Sequence, residues 1–118
     1  MSRAVHDKVH YTSAAEHDLD TIASYTLEMW GAAQRDAYLA ILEETCERIV
    51  PQHRRLARPI SERPGILRWR VESDVIYFRE VDDGIEIVRI LHERMLPSRH
   101  LQAFSSVPRR PARSTPVD

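Results

Sequence analysis

The chain has 118 residues, of which 42% are hydrophobic and 30% are charged, and its formal net charge is −1. This length is enough for one compact domain with a modest core. No stretch approaches the ~20 consecutive apolar residues of a membrane-spanning helix, and the first residues lack the apolar segment of a secretory signal. The only cysteine, Cys46, has no partner for an internal disulfide. We therefore expect a cytoplasmic domain in which Cys46 is a small core residue.

The charges are divided unevenly along the chain. Residues 1–50 contain four basic and nine acidic residues, a net charge of −5. Residues 51–118 contain thirteen arginines and nine acidic residues, a net charge of +4. The pattern indicates an acidic first half and an arginine-rich second half. The second half is suited to binding an acidic peptide or phosphate groups.

The first half predicts a short strand followed by two helices. Residues 8–11, Lys-Val-His-Tyr, alternate polar and apolar side chains, as a strand does. Ser13, with a glutamate three positions later, forms a capping-box pattern that opens a helix. Gly31 is expected to end this helix. A second helix then runs from about residue 32 to its stop at Pro51, so the two form an antiparallel hairpin.

The second half predicts a loop and a three-stranded meander. Residues 52–65, which contain Pro59, Pro64 and Gly65, are interpreted as a loop. Three strands follow, separated by tight turns at Ser73–Asp74 and at residues 82–84; they are expected at residues 66–72, 75–81 and 85–92. The fold class is therefore α+β, in the order β-α-α-β-β-β, with an antiparallel sheet covered on one face by the helical hairpin.

The end of the chain changes in composition. A short helix is expected at about residues 98–104. Residues 105–118 are rich in proline, arginine and serine and contain little apolar material. We predict one domain over residues 1–104 and a disordered tail over residues 105–118.

The apolar periodicity predicts which residues form the core. Alternation along the last strand places Val88, Ile90 and His92 on one face, and Ile87, Arg89 and Leu91 on the other. His92 is then expected at the edge of the core, with a hydrogen bond. The predicted core between hairpin and sheet consists of Leu19, Ile22, Ile41, Leu42, Ile76, Phe78, Val88 and Ile90.

Local motifs for catalysis or metal binding are not visible in the sequence. There is no nucleophile motif and no glycine-rich phosphate loop, and the six histidines have no metal-ligand spacing. Two features suit a partner instead. Arg68 and Arg70 alternate with apolar residues, and form either a basic surface or ion pairs with Glu80 and Glu86. Trp30 either packs between the two helices and holds them together, or it is exposed and contacts a partner.

Three segments together resemble a known toxin superfamily. They are Tyr-Thr-Ser-Ala-Ala-Glu-His-Asp-Leu-Asp-Thr-Ile-Ala-Ser-Tyr at residues 11–25, Trp30-Gly31, and the long stretch of residues 76–101. In this order they resemble the ParE branch of the RelE/ParE toxins, over about residues 8–101. The most specific part is Arg-Ile-Leu-His-Glu-Arg-Met at residues 89–95. Leu96 departs from the family pattern, in which an aspartate is common.

The resemblance implies a toxin of a type II toxin–antitoxin system that inhibits DNA gyrase. Such a toxin would have no catalysis of its own, no cofactor and no metal. It would form a hetero-oligomer with a ParD-like antitoxin and would not bind DNA sequence-specifically. The candidate partner-binding residues are Arg68, Arg70, Arg94, Trp30 and Tyr25.

Two alternatives remain open from the sequence. A RelE-like ribosome-dependent messenger ribonuclease would use Arg94, His100, Arg68 and Arg70. The lysines of that activity have no counterpart, since Lys8 is the only lysine. The other alternative is a non-toxic binding module within a toxin–antitoxin repressor complex.

Overall fold

The fold is taken from a computed structural model, which describes residues 8–95. It contains one five-stranded sheet with the strand order β1-β5-β4-β3-β2. The two long helices are α1 (Ser13–Trp30) and α2 (Ala32–Glu44), and the strands are β1 (Lys8–Tyr11), β2 (Arg58–Pro59), β3 (Leu67–Val71), β4 (Asp74–Val81) and β5 (Gly84–His92). None of the helices within residues 8–95 is both long and apolar enough to cross a membrane.

The predicted α+β class and the predicted order of elements are confirmed. β3, β4 and β5 form the antiparallel meander. The structure adds two details to the sheet. β1 pairs with β5 in parallel, and the segment interpreted as a loop contributes the two-residue strand β2, antiparallel to β3. The turn before β4 consists of Glu72 and Ser73, one residue earlier than predicted.

The ends of the two helices differ partly from the sequence prediction. The capping box at Ser13 is wrong by one residue: Ser13 is already helical, and the hydroxyl of Thr12 accepts the backbone N–H of Ala15 at 3.0 Å. Gly31, with φ 95°, does separate α1 from α2 as predicted. Pro51 does not end the second helix, which continues through a π-helical turn at Thr45–Ile49 and a last turn at Val50–Gln52.

The main core lies between the helices and one face of the sheet. Of the predicted core, Leu42, Ile76, Phe78 and Ile90 are buried there, and Leu19 and Ile22 pack against it while half-buried. Ile41 is a wrong prediction, because 45% of it is exposed. Successive helical residues are about 100° apart, so the burial of Leu42 turns Ile41 away from the sheet.

A bulge in β5 changes which residues share a face. Phe78 pairs with Ile87 and Tyr77 pairs with Arg89, so Val88 is left between the two pairs. Such an extra residue reverses the alternation beyond it. Ile87 and Ile90 therefore share the main core, and the predicted alternation is wrong there. Val88 is buried, but in a second cluster on the other face of the sheet, with Ile66, Val75, Tyr77 and Leu91.

Candidate functional site

Arg68 and Arg70 lie on the face of the sheet opposite the helices. Leu67, Trp69 and Val71 point into the main core, as the alternation in β3 predicted. The intervening Arg68 pairs across the strands with Tyr77, which belongs to the second cluster. Because alternate residues of a strand share a face, both arginines project from this side of the sheet.

A third arginine, absent from the sequence prediction, lies directly opposite Arg68. The register of β2 places Arg58 against Arg68. Like charges in this arrangement destabilise a sheet, and neither guanidinium has an ion pair within the described part of the chain. Arg58 was missed because it lay in an apparent loop. Its position before a proline, which favours extended backbone, was the available signal.

Arg70 is paired, but not with the predicted partners. Its Nε donates to the carbonyl of Glu72 at 2.9 Å, and its guanidinium forms an ion pair with Glu93. The prediction that Glu80 and Glu86 serve Arg68 and Arg70 is wrong, because the register places both arginines opposite the first half of β4. Glu86 accepts from Arg79 at 2.7 Å, and Glu80 lies 3.9 Å from Arg54.

Arg94 directly follows Glu93, the ion-pair partner of Arg70, at the end of β5. The backbone N–H of Glu93 donates to the carbonyl of Ser73 at 2.8 Å, which holds the end of β5 against the β3–β4 turn. His92 is half-buried and its Nδ1 accepts the backbone N–H of Arg94 at 3.1 Å, as expected of an edge residue with a hydrogen bond. Arg94 itself is exposed. We call Arg58, Arg68 and Arg70 the basic face.

The basic face is suited to charge recognition. Guanidinium groups stay protonated at any working pH, and bind carboxylates and phosphates through paired donors. His100, which the ribonuclease alternative would need, lies outside the described residues. Within residues 8–95, no group of three or more His, Cys, Asp or Glu side chains is arranged to hold a metal ion.

Trp30 and Tyr25 lie on the helical layer, away from the basic face. Trp30 is 68% exposed and Tyr25 is 60% exposed, so the interpretation that Trp30 pins the two helices together is wrong. Both belong to the last two turns of α1, just before the reversal at Gly31. The structure therefore places Arg68 and Arg70 on one surface, and Trp30 and Tyr25 on another.

The helical hairpin also forms a groove. Its volume is about 350 Å³, and it lies between α1 and α2 beside Tyr11. The Tyr11 hydroxyl donates to Glu47 at 2.6 Å, and burial together with this carboxylate raises the pKa of Tyr11. Cys46, at the bottom, is fully buried. Burial raises the pKa of its thiol to about 12, which keeps it protonated and agrees with its predicted core role.

The chain is similar to known proteins in both sequence and fold. The profile of a family described as the ParE toxin of type II toxin-antitoxin system, parDE, matches residues 9–97. Toxin ParE1 of Mycobacterium tuberculosis is 33% identical over 90 residues, which cover 75% of this chain and 91% of the relative. Toxin ParE1 of Caulobacter vibrioides is 35% identical over 88 residues, which cover 74% of this chain and 90% of the relative.

Two solved structures have the same arrangement of helices and strands. A chain from the chromosomal ParDE toxin–antitoxin system of Pseudomonas aeruginosa superimposes with a TM-score of 0.60 at 26% identity, covering 72% of this chain and 94% of that one. A chain from the RelBE2 toxin–antitoxin complex of Mycobacterium tuberculosis has a TM-score of 0.56 at 20% identity, covering 76% and 94%. This second likeness concerns the fold alone.

The five-stranded sheet with its helical hairpin thus defines a toxin of the RelE/ParE fold class. Within that class, the profile match and the curated relatives are specific to one branch. The chain belongs to the ParE toxin family of type II toxin–antitoxin systems.

Proposed function

We propose that this toxin inhibits DNA gyrase in the bacterial cytoplasm, and that a ParD-like antitoxin neutralises it by binding. Membership of the ParE family supports this proposal. So does the solved structure from Pseudomonas aeruginosa, whose title names a ParDE system. The proposed assembly is a hetero-oligomer in which the toxin needs no cofactor.

The observation that carries the antitoxin proposal is the Arg58–Arg68 pair. Two cationic side chains lie opposite one another at the edge of the sheet, without an ion pair to either among the described residues. An acidic segment of a partner would remove this repulsion and satisfy both guanidinium groups. Complementary charge of this kind raises the association rate more than the affinity. We therefore assign the acidic part of the antitoxin to the basic face.

Trp30 and Tyr25 are proposed as a second contact with partners. Exposed aromatic side chains are enriched at the centres of protein interfaces, because they bury a large area with little loss of conformational freedom. Their position at the tip of the hairpin leaves them accessible when the basic face is occupied.

Gyrase inhibition is tested with purified components. The toxin is added to DNA gyrase with relaxed plasmid, and supercoiling and enzyme-bound DNA cleavage are measured with and without the antitoxin encoded beside it. We expect loss of supercoiling, reversed by the antitoxin. A parallel assay follows messenger RNA on translating ribosomes. Cleaved message with unaffected gyrase would contradict the proposal in favour of a ribonuclease, and inactivity in both assays would favour a non-toxic binding module.

Antitoxin docking is tested by charge reversal. In Arg58→Glu/Arg68→Glu, association with the antitoxin should slow by about tenfold or more at low ionic strength, and its salt dependence should flatten. Arg48→Glu, which reverses an exposed arginine on the helical layer, is the matched control. Equal rates for both variants would show that the antitoxin does not dock on the basic face.

Arg94 needs a separate test because it directly follows Glu93, which pairs with Arg70 of the basic face. In Arg94→Ala, retained gyrase inhibition with weakened antitoxin binding would assign Arg94 to neutralisation. The reverse result would assign it to the contact with gyrase.

A further inference from the structure

Further arginines flank the Arg58–Arg68 pair at the edge of the sheet. Arg55 lies three residues before Arg58, and Arg63 lies in the loop that joins β2 to β3. Backbone hydrogen bonds close this loop: the N–H of Ile60 donates to the carbonyl of Ile66 at 3.1 Å, and the N–H of Ile66 donates to the carbonyl of Arg63 at 3.2 Å. The loop therefore continues the pairing of β2 with β3 and places its arginine at the same end of the sheet order.

These arginines differ from most others because they have no acidic partner. The ion-paired arginines within residues 8–95 are Arg35, Arg48, Arg54, Arg70, Arg79 and Arg89. Arg55, Arg58, Arg63 and Arg68 form no ion pair with another described residue, and we call these four the arginine edge. Residues 54–70 contain six arginines and a single acidic residue, a net charge of +5. The fold thus concentrates positive charge here without neutralising it.

The surroundings of the arginine edge favour a phosphate backbone over unstacked bases. Guanidinium groups bind phosphates through paired donors, whereas proteins that hold single strands add aromatic side chains on which bases stack. The nearby aromatic residues Trp69 and Tyr77 pack in the two core clusters instead. The exposed Tyr25 and Trp30 lie on the helical layer. Contacts to phosphates alone suit a duplex, which carries one negative charge per ~1.7 Å of its axis.

We propose that the arginine edge binds the phosphate backbone of double-stranded DNA, independently of its base sequence. Phosphate contacts fix a protein on a duplex but carry no sequence information. Residues 54–70 also lack the asparagine and glutamine that read adenine. The inference rests on the proposed function in one respect, since gyrase would supply the DNA. The acidic part of the antitoxin would then compete with DNA for Arg58 and Arg68.

The first test measures binding of labelled nucleic acids to the full chain by fluorescence anisotropy. A short DNA duplex should bind with a Kd of about 10⁻⁴–10⁻⁶ M at physiological salt, and more tightly at low salt. Four phosphate contacts give a slope of about −3 to −4 for the logarithm of affinity against the logarithm of salt concentration. A second duplex of unrelated sequence should bind within about twofold. No binding at low salt, an affinity independent of salt, or tighter binding of single-stranded RNA would overturn the proposal.

Variants locate the contact on the arginine edge. Arg55→Gln/Arg63→Gln should weaken duplex binding by about tenfold or more and make the salt slope less negative by about 2. Arg55→Lys/Arg63→Lys keeps both charges and should retain the slope. The matched control is Arg35→Gln/Arg48→Gln, which removes two ion-paired arginines from α2. Thermal unfolding would confirm that the variants remain folded. Equal weakening by the two glutamine variants would show a response to overall charge, and would overturn the assignment.

The C-terminal segment provides another possible contact, which the same assay distinguishes. If binding is lost when Arg109, Arg110 and Arg113 are changed to glutamine but persists in Arg55→Gln/Arg63→Gln, the C-terminal segment holds the DNA and the proposal is overturned.

Binding to bare DNA needs neither gyrase nor the antitoxin, so the inference and the proposed function fail separately. Absence of duplex binding with retained inhibition of gyrase would overturn the inference alone. Duplex binding that is lost in Arg55→Gln/Arg63→Gln would support the arginine edge even if gyrase is not inhibited.

Discussion

At the residue scale, one carboxylate connects the helical layer to the sheet. Asp18 of α1 accepts from the Nε and Nη2 atoms of Arg89, each at 2.8 Å, and from the backbone N–H of Ile90 at 2.9 Å. The hydrogen bonds that Arg89 donates to Asp18 raise the pKa of Arg89, against the effect of burial. Asp18 lies off the apolar stripe in sequence, so its burial was not predicted.

Removal of this carboxylate is expected to destabilise the protein strongly. In Asp18→Ala, the half-buried Arg89 loses its carboxylate and a buried N–H loses its acceptor, at a cost of about 3–5 kcal/mol. The free energy of unfolding in urea measures the effect. Asp20→Ala, at an exposed position two residues away, should change it by less than about 0.5 kcal/mol. Similar losses in both variants would contradict the structural role of Asp18.

Asp74 is a second buried carboxylate, and it predicts a pH effect. The Tyr38 hydroxyl donates to its Oδ2 at 2.6 Å. Burial raises the pKa of Asp74, although the bond from Tyr38 acts in the opposite direction. A raised pKa means that the folded state binds the proton more readily than the unfolded chain. The contribution of Asp74 to stability therefore rises as the pH falls through its folded pKa, toward the ~3.9 of an unfolded aspartate.

Asp74→Asn removes this titration and leaves a carbonyl to accept from Tyr38. The free energy of unfolding of the wild type minus that of the variant should become more positive as the pH falls from about 7 to about 4. Urea unfolding across this range measures it, with Asp82→Asn in an exposed turn as the control. A difference independent of pH would show that Asp74 titrates alike in both states.

At the scale of single elements, α2 has one buried stripe and one exposed one. Leu42 is fully buried against the sheet, whereas Ile41 is 45% exposed. Leu42→Ala should therefore cost about 2–5 kcal/mol of unfolding free energy, and Ile41→Ala clearly less. A larger loss for Ile41→Ala would show that Ile41, and not Leu42, faces the sheet.

The start of β5 requires glycine because β1 passes close to it. A Cβ atom at Gly84 would overlap the backbone of Lys8, its partner in the parallel β1–β5 pair. Gly84→Ala should therefore displace β1, which would lower the melting temperature and accelerate hydrogen exchange of the amides of β1. Gly65→Ala is the control, since it also has a positive φ but has open space around it. Equal effects would indicate backbone strain rather than the contact with Lys8.

At the scale of the whole molecule, the uneven charge along the chain becomes two surfaces. The basic face lies on one side of the sheet. The groove between α1 and α2, whose lining includes Glu16, Asp20, Glu43 and Glu47, lies in the helical layer on the other side. The two surfaces therefore carry charges of opposite sign.

The C-terminal segment gives a prediction for the whole chain. Deleting residues 106–118 should change the melting temperature by no more than a few degrees, because this segment has too few apolar residues to offset its ordering entropy. A much larger decrease would show that the segment packs on the domain.

The sequence by itself determined the order of elements, the hairpin, and six of the eight predicted core residues that lie in or against the main core. Each depends on a local cause: alternation in strands, helical periodicity, or a glycine such as Gly31 at a helix end. The same local reasoning placed Arg68 and Arg70 on the face opposite Trp69 correctly.

What the tertiary structure decided depends on contacts between residues distant in the chain. The bulge at Val88 follows from pairing with β4. Beyond the bulge, the residues of β5 lie on the opposite face from the one that simple alternation assigns to them. Arg58 became part of the basic face only through its register with Arg68. The groove forms only where residues of α1, α2 and β1 meet. Registers and packing angles are fixed by the whole core at once, which is why no single segment of sequence contained them.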